Sequence, residues 1–155
     1  DVYARLMEAG AGLLEDTLSA LAEGQMVGIP QNDLMSGAER PAPKLFRQDG
    51  RIDWRRPPAE VVNFIRGMHP FPGAWTTLNG GTFKVHEGAL RSAPNDIGPL
   101  KPGQCHTSSG QWWVGTAGAP ILIERAQLAG KPAMSASDIL RGYRYPTADL
   151  GNQGH

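Results

Sequence analysis

The first apolar pattern of the chain has the spacing of an amphipathic helix. From residue 3 to residue 21, apolar side chains recur every three or four positions, and Gly24 follows where such a helix could end. The stripe consists of Tyr3, Leu6, Met7, Leu13, Leu14, Leu18 and Leu21. Residues 25–48 then lose this periodicity and contain three prolines, which is typical of a linker.

A second helix is predicted near residues 57–67. Pro57-Pro58 suits a helix start, because proline fixes φ and the first helical N–H needs no partner. The apolar side chains at positions 61, 64, 65 and 68 then follow a helical period. Upstream, residues 51–54 alternate polar and apolar side chains, which predicts a half-buried strand. Downstream, the prolines in residues 69–73 predict a stiff corner.

The remaining pattern predicts short strands joined by tight turns. Asn79-Gly80-Gly81 and Ser108-Ser109-Gly110 each separate two alternating runs, as in hairpins. Residues 120–128 form a more apolar run, and Ser135 can cap a last short helix. Because five or six short strands with one inserted helix favour a small, partly open barrel, we predict a mainly β fold with short helices.

Several segments resemble the methionyl-tRNA formyltransferase family. "DGRIDW…NFIRGMHPFPGAWTTL" is similar to the opening of that family's C-terminal domain, and "LAGKPAMSASDIL" to its closing part. "DVYARLMEAGAGLLEDTLSALAEG" resembles the last helix of its catalytic domain. The resemblance implies an OB-like, partly open β-barrel preceded by an amphipathic helix and a linker. The domains are then 1–39, the helix of an upstream catalytic domain plus linker; 40–144, the barrel; and 145–155, a flexible tail.

The resemblance also implies a function. The family transfers a formyl group from 10-formyltetrahydrofolate to the amino group of initiator methionyl-tRNA in translation initiation. It uses an Asn, a His and an Asp of its N-terminal domain, and no segment here matches those motifs. We therefore expect no catalytic residue and no cofactor in this chain, which alone would be inactive. Two alternatives stay open: the C-terminal domain of a sugar-nucleotide formyltransferase, and a non-catalytic OB-type binding module.

The charge distribution points to a polyanionic partner. Residues 1–39 hold one basic and seven acidic side chains, whereas residues 40–155 hold fourteen basic and eight acidic ones. A basic domain suits a polyanion such as tRNA, although basic side chains also simply solvate a surface. The predicted tRNA-binding residues are Lys44, Arg47, Arg51, Arg55, Arg56, Arg66 and Lys84. We expect Arg51 and Lys84 to point outwards, because the neighbouring side chains in their runs are apolar.

Other candidate residues favour structural roles. The four histidines have no metal-site spacing, so no metal is expected. Trp54 and Trp75 are expected in the core, whereas one of Trp112 and Trp113 should be exposed, since strand neighbours alternate. With one cysteine, no signal segment and no membrane-length apolar run, a cytoplasmic location is expected. Because the apolar stripe of the N-terminal helix needs a cover, we expect it to pack either on the barrel or on a second copy of the chain, which would be self-association.

Overall fold

The predicted N-terminal helix is present. Helix α1 spans Val2–Ala22, and a short 3₁₀ turn follows at Gln31–Leu34. The computed structural model describes residues 2–25, 28–142 and 150. No residue of α1 is buried, and the five leucines of its stripe are 56–68% exposed. This helix and the linker belong to one compact unit, Asp1–Pro43, and the rest of the chain forms a second unit, Lys44–His155.

The second unit is built on an antiparallel sheet. Its strands are β1 (Ala74–Leu78), β2 (Gly81–Ala89), β3 (Cys105–Ser108), β4 (Gln111–Val114), β5 (Ile121–Leu128) and β6 (Met134–Ser135). They are ordered β1-β2-β5-β4-β3, with β6 paired to β5. In the part of the chain that is described, β1 and β3 form the two ends of the sheet without pairing to each other, so the sheet is open. The predicted mainly β class is confirmed, and the predicted domain boundaries and the OB-like likeness stay predictions.

Both predicted hairpins are confirmed. Asn79 and Gly80 join β1 to β2 with φ values of 50° and 78°, and Ser109 and Gly110 join β3 to β4 with 50° and 74°. Two consecutive residues with positive φ match the twist of the flanking strands, and Asn-Gly is favoured there because both residues tolerate this conformation. The turn therefore fixes which residues of β1 face which residues of β2.

Two helices cover the sheet. Helix α2 spans Pro58–Met68, which confirms the prediction, and it buries Val61 and Ile65. Helix α3 spans Ala136–Gly142 and is capped by Ser135, whose hydroxyl accepts the Asp138 N–H at 3.1 Å. The larger side chains of the common core are Ile52, Trp54, Val61, Ile65, Leu78, Phe83, Val85, Trp112, Val114, Ile121, Ile123, Ile139 and Leu150.

The strand predicted at residues 51–54 is wrong. The Ile52 N–H donates to the Trp75 carbonyl at 2.8 Å, but the chain then turns away from the sheet. The reason is Asp53, whose carboxylate accepts the Arg55 backbone N–H at 3.1 Å and so closes a local turn. Ile52 and Trp54 are nevertheless buried, so the alternation predicted the buried side chains although it did not predict the backbone.

The expectation that one of Trp112 and Trp113 is exposed is also wrong. Their exposed fractions are 0% and 1%, since β4 lies between β3 and β5 and both of its faces are covered. Trp112 packs against Phe83 with 5.0 Å between ring centroids. The predicted tail, 145–155, lies outside the described residues except for Leu150, which is buried and donates its N–H to the Gly103 carbonyl at 2.7 Å. Among the described helices, none combines the length and the apolar character needed to span a bilayer.

Two phenylalanines should differ in their effect on stability. Phe83 is 0% exposed and Phe71 is 79% exposed. We expect Phe83→Ala to lower the free energy of unfolding by about 3–5 kcal/mol, because it leaves a cavity in the core. Phe71→Ala should change it by less than about 0.5 kcal/mol. Urea denaturation of the two variants measures this difference, and equal losses would contradict the burial pattern.

Candidate nucleic-acid interface

The candidate interface is centred on Trp75, which lies on the outer face of the sheet. In β1, residues Ala74, Thr76 and Leu78 are buried, and Trp75 and Thr77 alternate with them on the other face. Trp75 is half-buried there, so the expectation that it lies in the core is wrong. The reason is register: the Asn79-Gly80 turn pairs Trp75 with Lys84, and both side chains leave the sheet on the side opposite to Phe83.

A 3₁₀ turn, Arg47–Gly50, is held directly against this strand. The Trp75 indole N–H donates to the Arg47 carbonyl at 2.7 Å. Gly50 is buried, and a Cβ at this position would lie 2.3 Å from the Gly73 carbonyl oxygen, so only glycine permits the close approach. The Phe46 N–H donates to the Asp49 carboxylate at 2.7 Å and closes the turn from its other end.

Two guanidinium groups lie beside the Trp75 ring. Arg47 Cζ is 5.6 Å and Arg51 Cζ is 5.8 Å from the ring centroid, within the range of cation–π attraction. Arg47 also donates to the Thr82 hydroxyl at 3.2 Å. Arg51 forms a parallel bridge with Trp75 through its backbone and is exposed, as predicted. These contacts hold two guanidinium groups beside the same aromatic ring.

Lys84 completes what we call the Trp75 face: Arg47, Arg51, Trp75 and Lys84. Arg47, Trp75 and Lys84 line a cleft of about 470 Å³. Its other lining residues are Phe71, Pro72, Thr82 and the segment 127–130 at the end of β5. Among the described residues that line this cleft, none carries a carboxylate. The cleft therefore combines positive charge with aromatic surface.

Arg55 differs from the other predicted residues because it has an acidic partner. Its Nε lies 2.9 Å from an oxygen of Asp53, and the Arg55 side chain is 82% exposed. The hydrogen bond from Arg55 holds the pKa of the Asp53 carboxyl below its usual range, and the same contact raises the pKa of Arg55. Both groups are therefore charged together near neutral pH, and Asp53 offsets part of the positive potential of Arg55.

The other three predicted residues have different neighbours. Lys44 Nζ lies 5.6 Å from the centroid of the Phe46 ring. Arg66 lies on α2 and donates to the Asn63 side-chain oxygen. Arg56 is exposed, and its carbonyl accepts the Ala117 N–H at 3.1 Å. The structure thus places Arg47, Arg51 and Lys84 around Trp75. The remaining four predicted cations have other neighbours.

Trp75 and Phe71 belong to this site, although the sequence favours core packing over base stacking for aromatic residues of this kind. The strand alternation around Ala74, Thr76 and Leu78 was the available signal, because it places Trp75 on the face opposite to the core. No histidine lies in the lining of the cleft; His69 and His86 contact each other edge to face, with 5.8 Å between centroids. Within the described ranges, no group of three or more His, Cys, Asp or Glu side chains could hold a metal ion.

This domain belongs to a known class. Residues 44–144 match the model of the formyl transferase C-terminal domain, so the chain belongs to that family. The resemblance found in the sequence is thereby confirmed.

Particular relatives can also be named. Methionyl-tRNA formyltransferase of Arthrobacter sp. (strain FB24) is 42% identical over 92% of this chain and 44% of the relative. The enzyme of that name from Thermobifida fusca (strain YX) is 39% identical over 93% of this chain and 44% of its own length. The one from Chlorobium limicola is 34% identical over 91% of this chain and 44% of its own length. The chain therefore spans less than half the length of these relatives.

Similar solved structures define the fold alone, since their sequences have diverged. HypX from Aquifex aeolicus in complex with tetrahydrofolic acid has a TM-score of 0.50 at 16% identity, over 71% of this chain and 21% of HypX. A HypX variant has a TM-score of 0.52 at 17% identity, over 88% of this chain and 25% of the variant.

The exposure of Trp75 can be measured by fluorescence. Trp54, Trp112 and Trp113 are at most 5% exposed, whereas Trp75 is half-buried beside two arginines. We expect iodide to quench only part of the tryptophan emission, because the anion reaches Trp75 and not the core. Trp75→Phe should remove the quenchable part, and Trp54→Phe should leave it. Undiminished quenching in Trp75→Phe would contradict this placement.

Proposed function

We propose that this chain is the tRNA-binding part of a methionyl-tRNA formyltransferase. The parent enzyme would transfer a formyl group from 10-formyltetrahydrofolate to the amino group of initiator methionyl-tRNA. The observation that carries this proposal is the Trp75 face, three gathered cations on a domain whose relatives are named for methionyl-tRNA. Cations that contact phosphates position a nucleic acid without reading its sequence, which suits a domain outside the reaction centre.

The proposed contacts differ in their expected contributions. Arg47 and Lys84 would bind phosphates directly, since the cleft that they line has no carboxylate among its described residues. Arg51, which lies beside the Trp75 ring outside this lining, would add a third contact. Arg55 would contribute less, because Asp53 already neutralises part of its charge. Lys44, Arg56 and Arg66 would extend the positive surface around this centre.

We place the chemistry in the part of the parent that its longer relatives have and this chain does not match. Formyl transfer needs a general base for the attacking amine and hydrogen-bond donors for the tetrahedral oxyanion. The formyl donor would bind in that same part, and the isolated chain would be inactive. Because translation initiation takes place in the cytoplasm, the parent enzyme would be located there.

Removing two cations of the Trp75 face should weaken tRNA binding. For Arg47→Ala with Lys84→Ala, we expect the log–log slope of the association constant against salt to flatten by about 1.4–1.8, since two phosphate contacts are lost. The loss of affinity should be similar for different tRNAs. Fluorescence anisotropy of labelled tRNA, titrated with the full chain at several salt concentrations, measures both quantities.

The matched control removes two cations elsewhere. Arg91→Ala with Arg141→Ala deletes the same charge, but these arginines pair with Glu124 and Asp138 and lie outside the cleft lining. We expect this control to change the slope little, and Arg55→Ala alone to change it less than Arg47→Ala alone. Equal slopes for the two double variants would show that net charge alone drives binding, and absence of tRNA binding at low salt would refute the proposal.

We further propose that the apolar stripe of α1 is a docking surface for the rest of the parent protein. The relative from Thermobifida fusca aligns over 93% of this chain but only 44% of its own length, so the alignment extends into α1. Burial of one leucine contributes roughly 1.5–3 kcal/mol, which makes a stripe with five exposed leucines costly to leave in water. The isolated chain would therefore associate with itself through α1.

Self-association through α1 can be tested by sedimentation. The wild-type chain should sediment faster as its concentration rises, because two stripes then bury each other. Leu14→Glu with Leu18→Glu places two charges on one helical face and should keep the chain monomeric. Glu15→Gln with Asp16→Asn is the control, since it changes two neighbouring side chains outside the stripe. A monomeric wild-type chain at high concentration would contradict this proposal.

A further inference from the structure

We infer that the cleft beside Trp75 binds one unstacked nucleotide of a single-stranded RNA segment, with its base against Phe71 and its phosphate between Arg47 and Lys84. This inference rests on the proposed tRNA function and makes it more specific. It assigns to the cleft a ligand with two parts, an aromatic ring and an anion. Phosphate contacts along an RNA backbone need no such aromatic surface.

Phe71 is the first reason for this inference. It is 79% exposed, the most exposed of the large apolar side chains among the described residues, and it lines the cleft. It stands between Pro70 and Pro72, whose rings fix φ at both flanking positions and so restrict the backbone that carries the phenyl ring. Because these two φ angles are already fixed, stacking of a base there costs less backbone entropy than ordering a flexible loop.

The anion end of the cleft is equally well defined. Arg47 is held by its hydrogen bond to Thr82 and by the Trp75 ring, and Lys84 leaves the neighbouring strand on the same side. The segment at the end of β5, where Gln127 is paired with Lys84, adds little bulk to the cleft: Ala129 and Gly130 have almost no side chain, and the Gln127 amide donates to the Lys131 carbonyl at 2.7 Å. A flat ring can therefore enter over that segment without displacing a large side chain.

The size and charge of the cleft favour a nucleotide over other anions. Its volume of about 470 Å³ lies in the range of small-molecule sites, roughly 300–1,000 Å³. An acidic peptide would satisfy the two cations but would leave Phe71 uncovered. Bases in single-stranded RNA stack on aromatic side chains, whereas bases in a duplex are already stacked on each other.

The test uses the full chain and a short single-stranded RNA, with quenching of Trp75 fluorescence as the readout. We expect Phe71→Ala to lower affinity about five- to tenfold, the lower part of the effect of one base stack. The salt slope should stay unchanged, because no charge is removed. Phe71→Trp should retain affinity. Phe46→Ala is the matched control, since Phe46 is also an exposed ring beside a cation but does not line the cleft.

Three further probes separate the possible ligands. An abasic strand with the same charge as the short RNA has no base to stack on Phe71. Its affinity for the wild-type chain should therefore equal the affinity of the RNA for the Phe71→Ala variant. A free nucleoside monophosphate should bind more weakly than the strand but with the same dependence on Phe71. Polyglutamate that binds as tightly as RNA, with no dependence on Phe71, would overturn the nucleotide assignment and leave only an anion site.

Measuring tRNA with the same variants separates this inference from the proposed function. One outcome is that the wild-type chain binds tRNA while Phe71→Ala binds both tRNA and the short RNA as tightly as the wild type does. That result refutes the nucleotide cleft and leaves the tRNA function standing. If the short RNA depends on Phe71 but tRNA does not bind at low salt, the cleft stands and the proposed function fails.

Discussion

The hydrogen bond from the Trp75 indole to the Arg47 carbonyl is the interaction on which the candidate interface depends. With a donor–acceptor distance of 2.7 Å, it joins a 3₁₀ turn to the first strand of the sheet, and the Arg47 side chain continues to Thr82 on the second strand. The close approach needs Gly50, because a side chain there would meet the Gly73 backbone. Trp75 thus does not act only as an aromatic surface; it also positions the arginine beside it.

The sheet register gives the second unit two different faces. On one side Phe83 and Val85 enter the core, and on the other side Lys84 lies across from Trp75. A slip of one residue would exchange these faces and bury the lysine, which is why the register is strongly specified. The Asn79-Gly80 turn enforces this register locally, so a two-residue turn indirectly sets the position of a cation in the cleft.

The two units of the chain have contrasting chemistry. The first unit, Asp1–Pro43, holds two basic and seven acidic side chains and includes a helix whose leucines are exposed. The second unit, Lys44–His155, holds thirteen basic and eight acidic side chains, and the outer face of its sheet carries Lys84 beside Trp75. An apolar stripe suits docking to protein, and a cationic face with aromatic rings suits nucleic acid. This contrast agrees with a segment that joins a tRNA-binding domain to a larger enzyme, as the proposed function requires.

The sequence by itself determined the local elements and the family. Periodicity predicted α1 and α2, the Asn79-Gly80 and Ser109-Gly110 pairs predicted the hairpins, and the resemblance to formyltransferases was confirmed over residues 44–144. These features depend on the backbone preferences of neighbouring residues, which a sequence displays directly.

Only the tertiary structure decided which predicted residues form a site. Seven cations were predicted, but the gathering of Arg47, Arg51 and Lys84 around Trp75 depends on contacts between distant positions. The contact of Arg47 with Thr82, for example, joins residues 35 positions apart. The errors at residues 51–54 and at Trp113 have the same origin. Alternation shows that neighbouring side chains point in opposite directions, but only the neighbouring elements decide whether either face is covered.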